Sequence, residues 1–268
     1  IGMTKCKKAL EVADGDMDLA IENLRKAGEA TAVAKEGRAT KEGLIMSAES
    51  DGAIAFVEVN AETDFVVNNE RFQEFLSGVA KEAAETQPES LEVFLQQSPS
   101  MDPGATIEQI RSNLVQAIGE NIQISRVQVF KKEPEVSTGV YSHLGGKIVT
   151  AVTLRGSDSE QQLARDIAMH VAAAAPEFLS PEAVPAAVVE QEKGIARSQM
   201  EGKKPDNIID KIVEGKLKAF YDSSCLLNQS FIKDEDVTIE ELVAKRAKEV
   251  DKPLSVESFI YWRVGQKV

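Results

Sequence analysis

The tripeptide Thr-Ile-Glu occurs at Thr106 and again at Thr238, and each copy opens a run of similar pattern. The first reads "TIEQIRSNLVQAIGENIQISRVQV" and the second "TIEELVAKRAKEVDKPLSVESFIYWRV". In both, apolar residues run in step through a helix and a turn into a strand. The elements upstream of each also correspond. Leu44, Met46 and Ala48, then Ile54 to Val59, predict two strands joined at Ser50-Asp51-Gly52. A helix follows with Phe72, Phe75, Leu76, Val79, Ala80 and Ala83 on one face. In the later half, Gly139 to Leu154 predicts strand, glycine turn and strand. A helix follows there too, with Leu163, Ile167, His170, Val171 and Ala174 on one face. A chain that repeats strand–strand–helix and then helix–strand folds as two related units. The expected fold class is α+β, with two subdomains, each a three-stranded antiparallel sheet with helices on one face.

The remaining segments fall around this repeat. Residues 1–28 predict a small helical module. Asp14-Gly15-Asp16 breaks it, Asp16 offers an N-cap, and Gly28 is the expected C-cap. The chain starts at Ile1 and the first helix opens mid-pattern, so the module is expected to be incomplete at its start. Residues 29–42, "EATAVAKEGRATKE", lack large apolar side chains and read as a linker. The first subdomain then takes 43–135, and the second takes 136–180 and 229–268. Residues 86–104 carry three prolines and read as loop, with a short helix around Leu91 to Leu95. Residues 181–228 read as an inserted helical hairpin. Ser180 and Pro181 start its first helix, which runs to about Met200, and Gly202 to Pro205 turn the chain. Asn207 to Phe220 form its second helix.

Composition narrows the function. Apolar residues make up 43% of the 268 and charged ones 28%, a globular balance. The formal net charge of −13 repels a phosphate backbone, and the richest basic groups, Lys5-Lys7-Lys8 and Lys131-Lys132, are too small to reverse it. Direct nucleic-acid and membrane partners are therefore not expected. Cys6 and Cys225 are too few for a disulfide scaffold and wrongly spaced for zinc, which suits a reduced, intracellular chain. No apolar run approaches the roughly 18 to 20 residues that span a bilayer. There are two histidines. His170 lies on an apolar helical stripe and reads as a core residue. His143, beside Leu144-Gly145-Gly146, reads as a surface or contact residue. No phosphate-binding glycine loop or dinucleotide fingerprint is present. We expect no catalytic residues, no metal and no cofactor.

One stretch resists a purely structural account. In "EVNAETDFVVNNERF" a strand has ended, a helix is about to begin, and Thr63-Asp64-Phe65 stands between them. Thr63 could cap a short turn while Phe65 tucks into the core. Alternatively, Phe65 stands exposed as a rigid anchor for a partner, with Asp64 adding a charge-assisted contact.

"VEVNAETDFVVNNERFQEF" resembles the most recognisable stretch of the translation elongation factor Ts family, which carries Thr-Asp-Phe-Val after an apolar strand ending in Asn. The likeness continues in "MTKCKKALEVADGDMDLAIENLRKAG", "IGENIQISRV", "DIAMHVAAAAPEFLSPEAVP" and "IVEGKLKAFY", in the family's order. The resemblance implies a guanine-nucleotide exchange factor for elongation factor Tu, the GTPase that carries aminoacyl-tRNA to the ribosome. It implies that Asp64 and Phe65, flanked by Thr63 and Val66, insert between helices of the GTPase domain near its magnesium and phosphate site. It also implies partner contacts at Lys7, at His143, and near Phe231 and Ile232. Here Leu144 stands where the family usually has a glycine, and Lys233 where an apolar residue is usual. The inserted hairpin suits a bacterial cytoplasmic form, with an organellar origin left open. A homodimer contact, an arm on the partner and a brace are all open roles for the hairpin.

Two rival functions stand beside this one. "MTKCKKALEVADGDMDLAIENL" also resembles ubiquitin-associated modules, which implies a peptide- or protein-binding adaptor without exchange activity. The third reading is a hydrolase with an unmarked carboxylate pair among the 44 acidic residues.

Overall fold

A computed structural model of the chain describes residues 3–199 and 205–266. It divides into two compact units. One comprises the chain up to Glu133, Ser142–Val149 and the end from Trp262; the other comprises Pro134–Tyr141 and Thr150–Tyr261.

The first unit opens with α1 (Met3–Val12) and α2 (Met17–Lys35). Asp16 caps α2 as expected, its carboxylate accepting from the Leu19 N–H at 3.0 Å. Ala9, Ala13 and Ala20 are buried between the two helices. Gly28, however, does not end α2. The helix runs on to Lys35, and the expected linker shrinks to the few residues before β1. Ala, Glu and Lys dominate this extension and are strong helix formers. Ala32 is buried in the main core. At Gly28, a Cβ would lie 2.8 Å from Asn113 Oδ1, so the missing side chain permits a close helix–helix approach.

Next come β1 (Glu42–Glu49) and β2 (Ala53–Ala61), then a single turn α3 (Asp64–Val67), α4 (Glu70–Thr86) and α5 (Leu91–Gln96). The unit's main elements close with α6 (Ile107–Ile118) and β3 (Ile122–Lys131). The strands form one antiparallel sheet in the order β1-β2-β3. All six residues of the expected α4 stripe are buried in the core, with Ala55, Val57, Val59 and Ala61 of β2.

The opposite face of β2 departs from expectation. Alternation predicts one dry face, yet every residue of the strand is buried. Phe56 packs edge-on to Phe130 and Trp262. Glu58, 2% exposed, takes a hydrogen bond from Arg126 Nε at 2.7 Å, one from Asn60 at 2.9 Å and one from the Gly265 N–H at 2.9 Å. Arg126 in turn lies 4.0 Å above the Trp262 ring. A bulge in β3 beside Glu58 aims these groups at one another.

In the second unit the order recurs. Two strands, β4 (Val136–His143) and β5 (Ile148–Arg155), precede α7 (Gln161–Ala174). The inserted segment holds α8 (Ala186–Ser198) and α9 (Asp206–Ser224). Its first helix starts later than expected. Pro181 opens only a 3₁₀ turn, because Pro185 cannot donate a helical hydrogen bond, and α8 begins after it. Ala196, Ile209 and Val213 seal the pair. The expected helix end at Met200 and the turn from Gly202 lie outside the described residues. A short hairpin, β6 (Ser230–Phe231) and β7 (Asp234–Thr238), which the sequence pattern did not indicate, leads into α10 (Ile239–Val250) and β8 (Ser255–Arg263). The sheet order is β4-β5-β8, the counterpart of β1-β2-β3. Both Thr-Ile-Glu runs open with a full capping box, Thr106 with Gln109 and Thr238 with Glu241. Each following helix ends on a left-handed residue, Gly119 or Asp251. Among the described residues no helix is long and apolar enough to cross a membrane.

Removing the partner of a buried charge is costly. Arg126→Ala is expected to lower unfolding free energy by about 3 kcal/mol or more, read from urea midpoints, because Glu58 would stay buried with its main counter-charge gone.

Candidate functional site

Where β2 ends, the chain leaves the sheet and turns once before α4. That turn is α3, four residues long and built from caps. Thr63 is its N-cap, the hydroxyl oxygen accepting from the Val66 N–H at 3.4 Å. At the other end, the Asn68 side chain donates to the Asp64 carbonyl at 2.9 Å. Val66 and Val67 point inward and are buried in the core. A single turn pinned on its inner side must present its other residues outward. Asp64 is exposed, and Phe65 is 84% exposed. Of the two readings of Phe65, the structure takes the exposed one.

An aromatic ring in water is unfavourable, and burying it would gain roughly 1.5–3 kcal/mol. Its exposure therefore needs a mechanical reason. The two valines occupy the space beneath the turn, so Phe65 has no inward route without unwinding α3. The ring stands on a fixed mount, with an exposed carboxylate at Asp64 in the same turn and another at Glu70, the first residue of α4. This arrangement can dock into an apolar slot of a partner and offer a charge at its rim.

The entry to the turn is also held. Glu62 Oε1 accepts from the Asn121 N–H at 2.7 Å, and the Thr63 hydroxyl meets both oxygens of Glu120 at 3.1 Å. Sequence reading missed Glu62, Glu120 and Asn121 as members of this site. They are polar residues just past strand ends, where periodicity carries no signal. The run "GENI" that contains Glu120 and Asn121 was visible only as part of a resemblance.

The other expected contact residues lie elsewhere on the molecule. Lys7 is on the exposed face of α1, 3.7 Å from Glu11 one turn on. His143 is exposed at the end of β4. The three residues after it all have positive φ, and Leu144, 68% exposed, holds φ 49° where a glycine would sit without strain. Gly146 needs its hydrogen, since a Cβ there would lie 2.8 Å from the Ile45 carbonyl oxygen. Ile232 is 47% exposed, whereas the adjacent Phe231 is 6% exposed and belongs to the second core. Phe231 thus supports Ile232 from below.

His170 is the core residue that the sequence indicates, and it has a task there. It is 2% exposed. Its Nδ1 accepts from the Ile232 N–H at 3.2 Å, so Nε2 carries the proton and donates to Gln229 Oε1 at 2.9 Å. Burial pushes its pKa below the ordinary 6.5, and the Gln229 bond only partly opposes this. Lys233, where the family favours an apolar residue, reaches Asp166 at 2.9 Å.

Phe65→Ala is expected to shift unfolding free energy by less than about 0.5 kcal/mol, because the ring is in water in both states. Val66→Ala is expected to cost about 1–3 kcal/mol in the same urea titration. The neutral His170 predicts a pH effect of definite sign. Its folded pKa is depressed, so its contribution is intact above about pH 6.5 and declines as pH falls below that, where the unfolded chain gains a proton the folded one refuses. Stability measured from pH 7.5 down to 5.5 should fall more steeply in the natural chain than in His170→Gln.

Comparison with known proteins bears on the whole arrangement. The family model described as Elongation factor TS matches residues 62–266. An Elongation factor Ts of Protochlamydia amoebophila (strain UWE25) is 59% identical over 99% of this chain and 94% of its own length. Those of Chlamydia muridarum and Chlamydia trachomatis serovar L2 are 45% and 43% identical, over the same shares. Matches of this extent and identity include the capped turn, both sheets and the inserted hairpin, and the chain belongs to the elongation factor Ts family.

Proposed function

We propose that this chain is the guanine-nucleotide exchange factor of translation elongation, and that it acts on elongation factor Tu by inserting Phe65 between helices of the GTPase domain. The observation that carries the mechanism is the exposure of Phe65, 84%, on a turn that cannot take it inward. Membership of the family carries the role and the partner.

The chemistry asked of the factor is mechanical. A GTPase holds GDP partly through a magnesium ion that bridges phosphate oxygens and protein ligands. An aromatic wedge beside the elements that position this metal shifts them, and Asp64 contributes charge at the mouth of the slot. Factor and nucleotide then disfavour one another. The coupling is reciprocal: a tightly bound factor loosens GDP, and incoming nucleotide loosens the factor. No covalent bond is made or broken, so the factor itself needs no catalytic group. Lys7, His143 and Ile232 supply further contact points, with Phe231 and His170 holding the turn at Ile232 in place. Val66 and Thr63 belong to the mount, not to the contact. The acidic surface, net charge −13, suits a protein partner better than a nucleic acid. We place the activity in a bacterial-type cytoplasm.

The adaptor reading explains only α1 and α2 and gives no account of the duplicated sheets, so we set it aside. The test is release of a fluorescent GDP from elongation factor Tu. The natural chain should accelerate release, and Phe65→Ala should cut that acceleration by about tenfold or more, the scale of a well-seated anchor. Equal acceleration by the two chains would sink the wedge, and none by either would sink the exchange role.

A further inference from the structure

The antiparallel ladder of β2 and β3 continues past its last backbone pair. Within it, Asn60 faces Gln123 and Ala61 faces Ile122. The next pairs in that register are Glu62 with Asn121 and Thr63 with Glu120. Both are bonded, but through side chains. Glu62 Oε1 takes the Asn121 N–H at 2.7 Å, and Thr63 Oγ1 lies 3.1 Å from each Glu120 oxygen.

This substitution of side chains for main chain has a structural consequence. A strand still paired through its backbone could not turn away into α3. With side-chain links, residues 62 and 63 stay registered against the sheet while their backbones are free to bend. The Thr63 bond also has a fixed direction. A hydroxyl carries one proton, and a carboxylate can only accept. Glu120 therefore draws the Thr63 proton toward itself, which leaves the oxygen lone pairs for the Val66 N–H. Without that acceptor the hydroxyl is free to rotate, and the cap on α3 weakens.

The same turn holds a second element. Lys35 at the end of α2 donates to the Gly119 carbonyl, and Asn121 donates to the carbonyls of Glu36 at 3.3 Å and Arg38 at 2.9 Å. Gly119, with φ 92°, provides the reversal that brings residues 119–121 into this position.

We propose that Glu120 is a positioning residue for the Asp64-Phe65 tip: it touches no partner, and it holds the Thr63 cap so that the turn is already in its docking shape. The proposal rests on the exchange reading, since it assigns Glu120 a part in the same site. A tip that is shaped in only a fraction of molecules binds with its apparent affinity reduced by that fraction. The effect therefore falls on the concentration of factor needed, while the wedge, once seated, is unchanged.

Two measurements test this on the full chain. In the first, factor is titrated against elongation factor Tu loaded with fluorescent GDP. Glu120→Ala should raise the half-saturating concentration by about tenfold, the worth of one hydrogen bond to a charged group, with the maximal release rate within about twofold. Glu120→Gln keeps an acceptor oxygen and should restore most of the loss. Phe65→Ala should lose maximal rate instead. In the second, which needs no partner, amide hydrogen exchange at Val66 should quicken about tenfold in Glu120→Ala and recover in Glu120→Gln. Unchanged Val66 exchange, or an equal defect in both Glu120 variants, would overturn the proposal. Quickened Val66 exchange in a factor that releases no GDP would instead overturn the exchange reading and leave the positioning role intact.

Discussion

Strand β2 is the constraint on which the first unit turns. It is buried along its whole length, with small and branched apolar residues against the helices and Phe56, Glu58 and Asn60 on the other side. A strand buried on both faces cannot slip, because a one-residue shift would exchange its two sets of side chains. Glu58 makes the register stricter still. A carboxylate removed from water is tolerable only where its partners converge, and Arg126, Asn60 and the Gly265 N–H converge at that one position. Because β2 is fixed, the place where it releases the chain toward Phe65 is fixed too.

The two copies of the repeat differ in the connection that follows their second strand. After β5 the chain turns at Gly156, whose φ is 106° and whose missing Cβ would lie 2.3 Å from the Pro253 carbonyl oxygen. That turn packs its glycine against the backbone of its own unit, and the helix after it is anchored by buried Glu160, which binds Arg246 at 2.9 Å. After β2 the corresponding turn expands into α3. The scaffold is shared, and the difference in one connection separates a plain corner from a site.

Much of this was legible in the sequence, for identifiable reasons. The Asp16 cap, the α4 stripe and the two strand–turn–strand runs depend on neighbours in sequence, so they follow from pattern. The C-terminal part of α2 did not, because Gly28 and Ala32 are small for close packing on α6, and smallness looks like a linker when only apolar bulk is counted. The start of α8 was misplaced by five residues for the opposite reason: Pro181 is a good opening residue, and Pro185 overrules it. The β6–β7 hairpin is too short to have a period. Exposure of Phe65 could not be read locally either. It depends on Val66 and Val67 filling the space below, and that is a property of the core.

A bare phenylalanine ring on a stiff mount has a hazard of its own. The same ring that suits a slot in one protein also suits chance grooves on others, and on further copies of itself. The acid groups answer this. Asp64 precedes the ring in the same turn, Glu70 opens the next helix, both are exposed, and the whole chain carries thirteen more negative than positive charges at neutral pH. Like-charged molecules meet less often and part sooner. The acidity thus works as colloidal insulation for a sticky point, and it lets the chain carry that point uncovered.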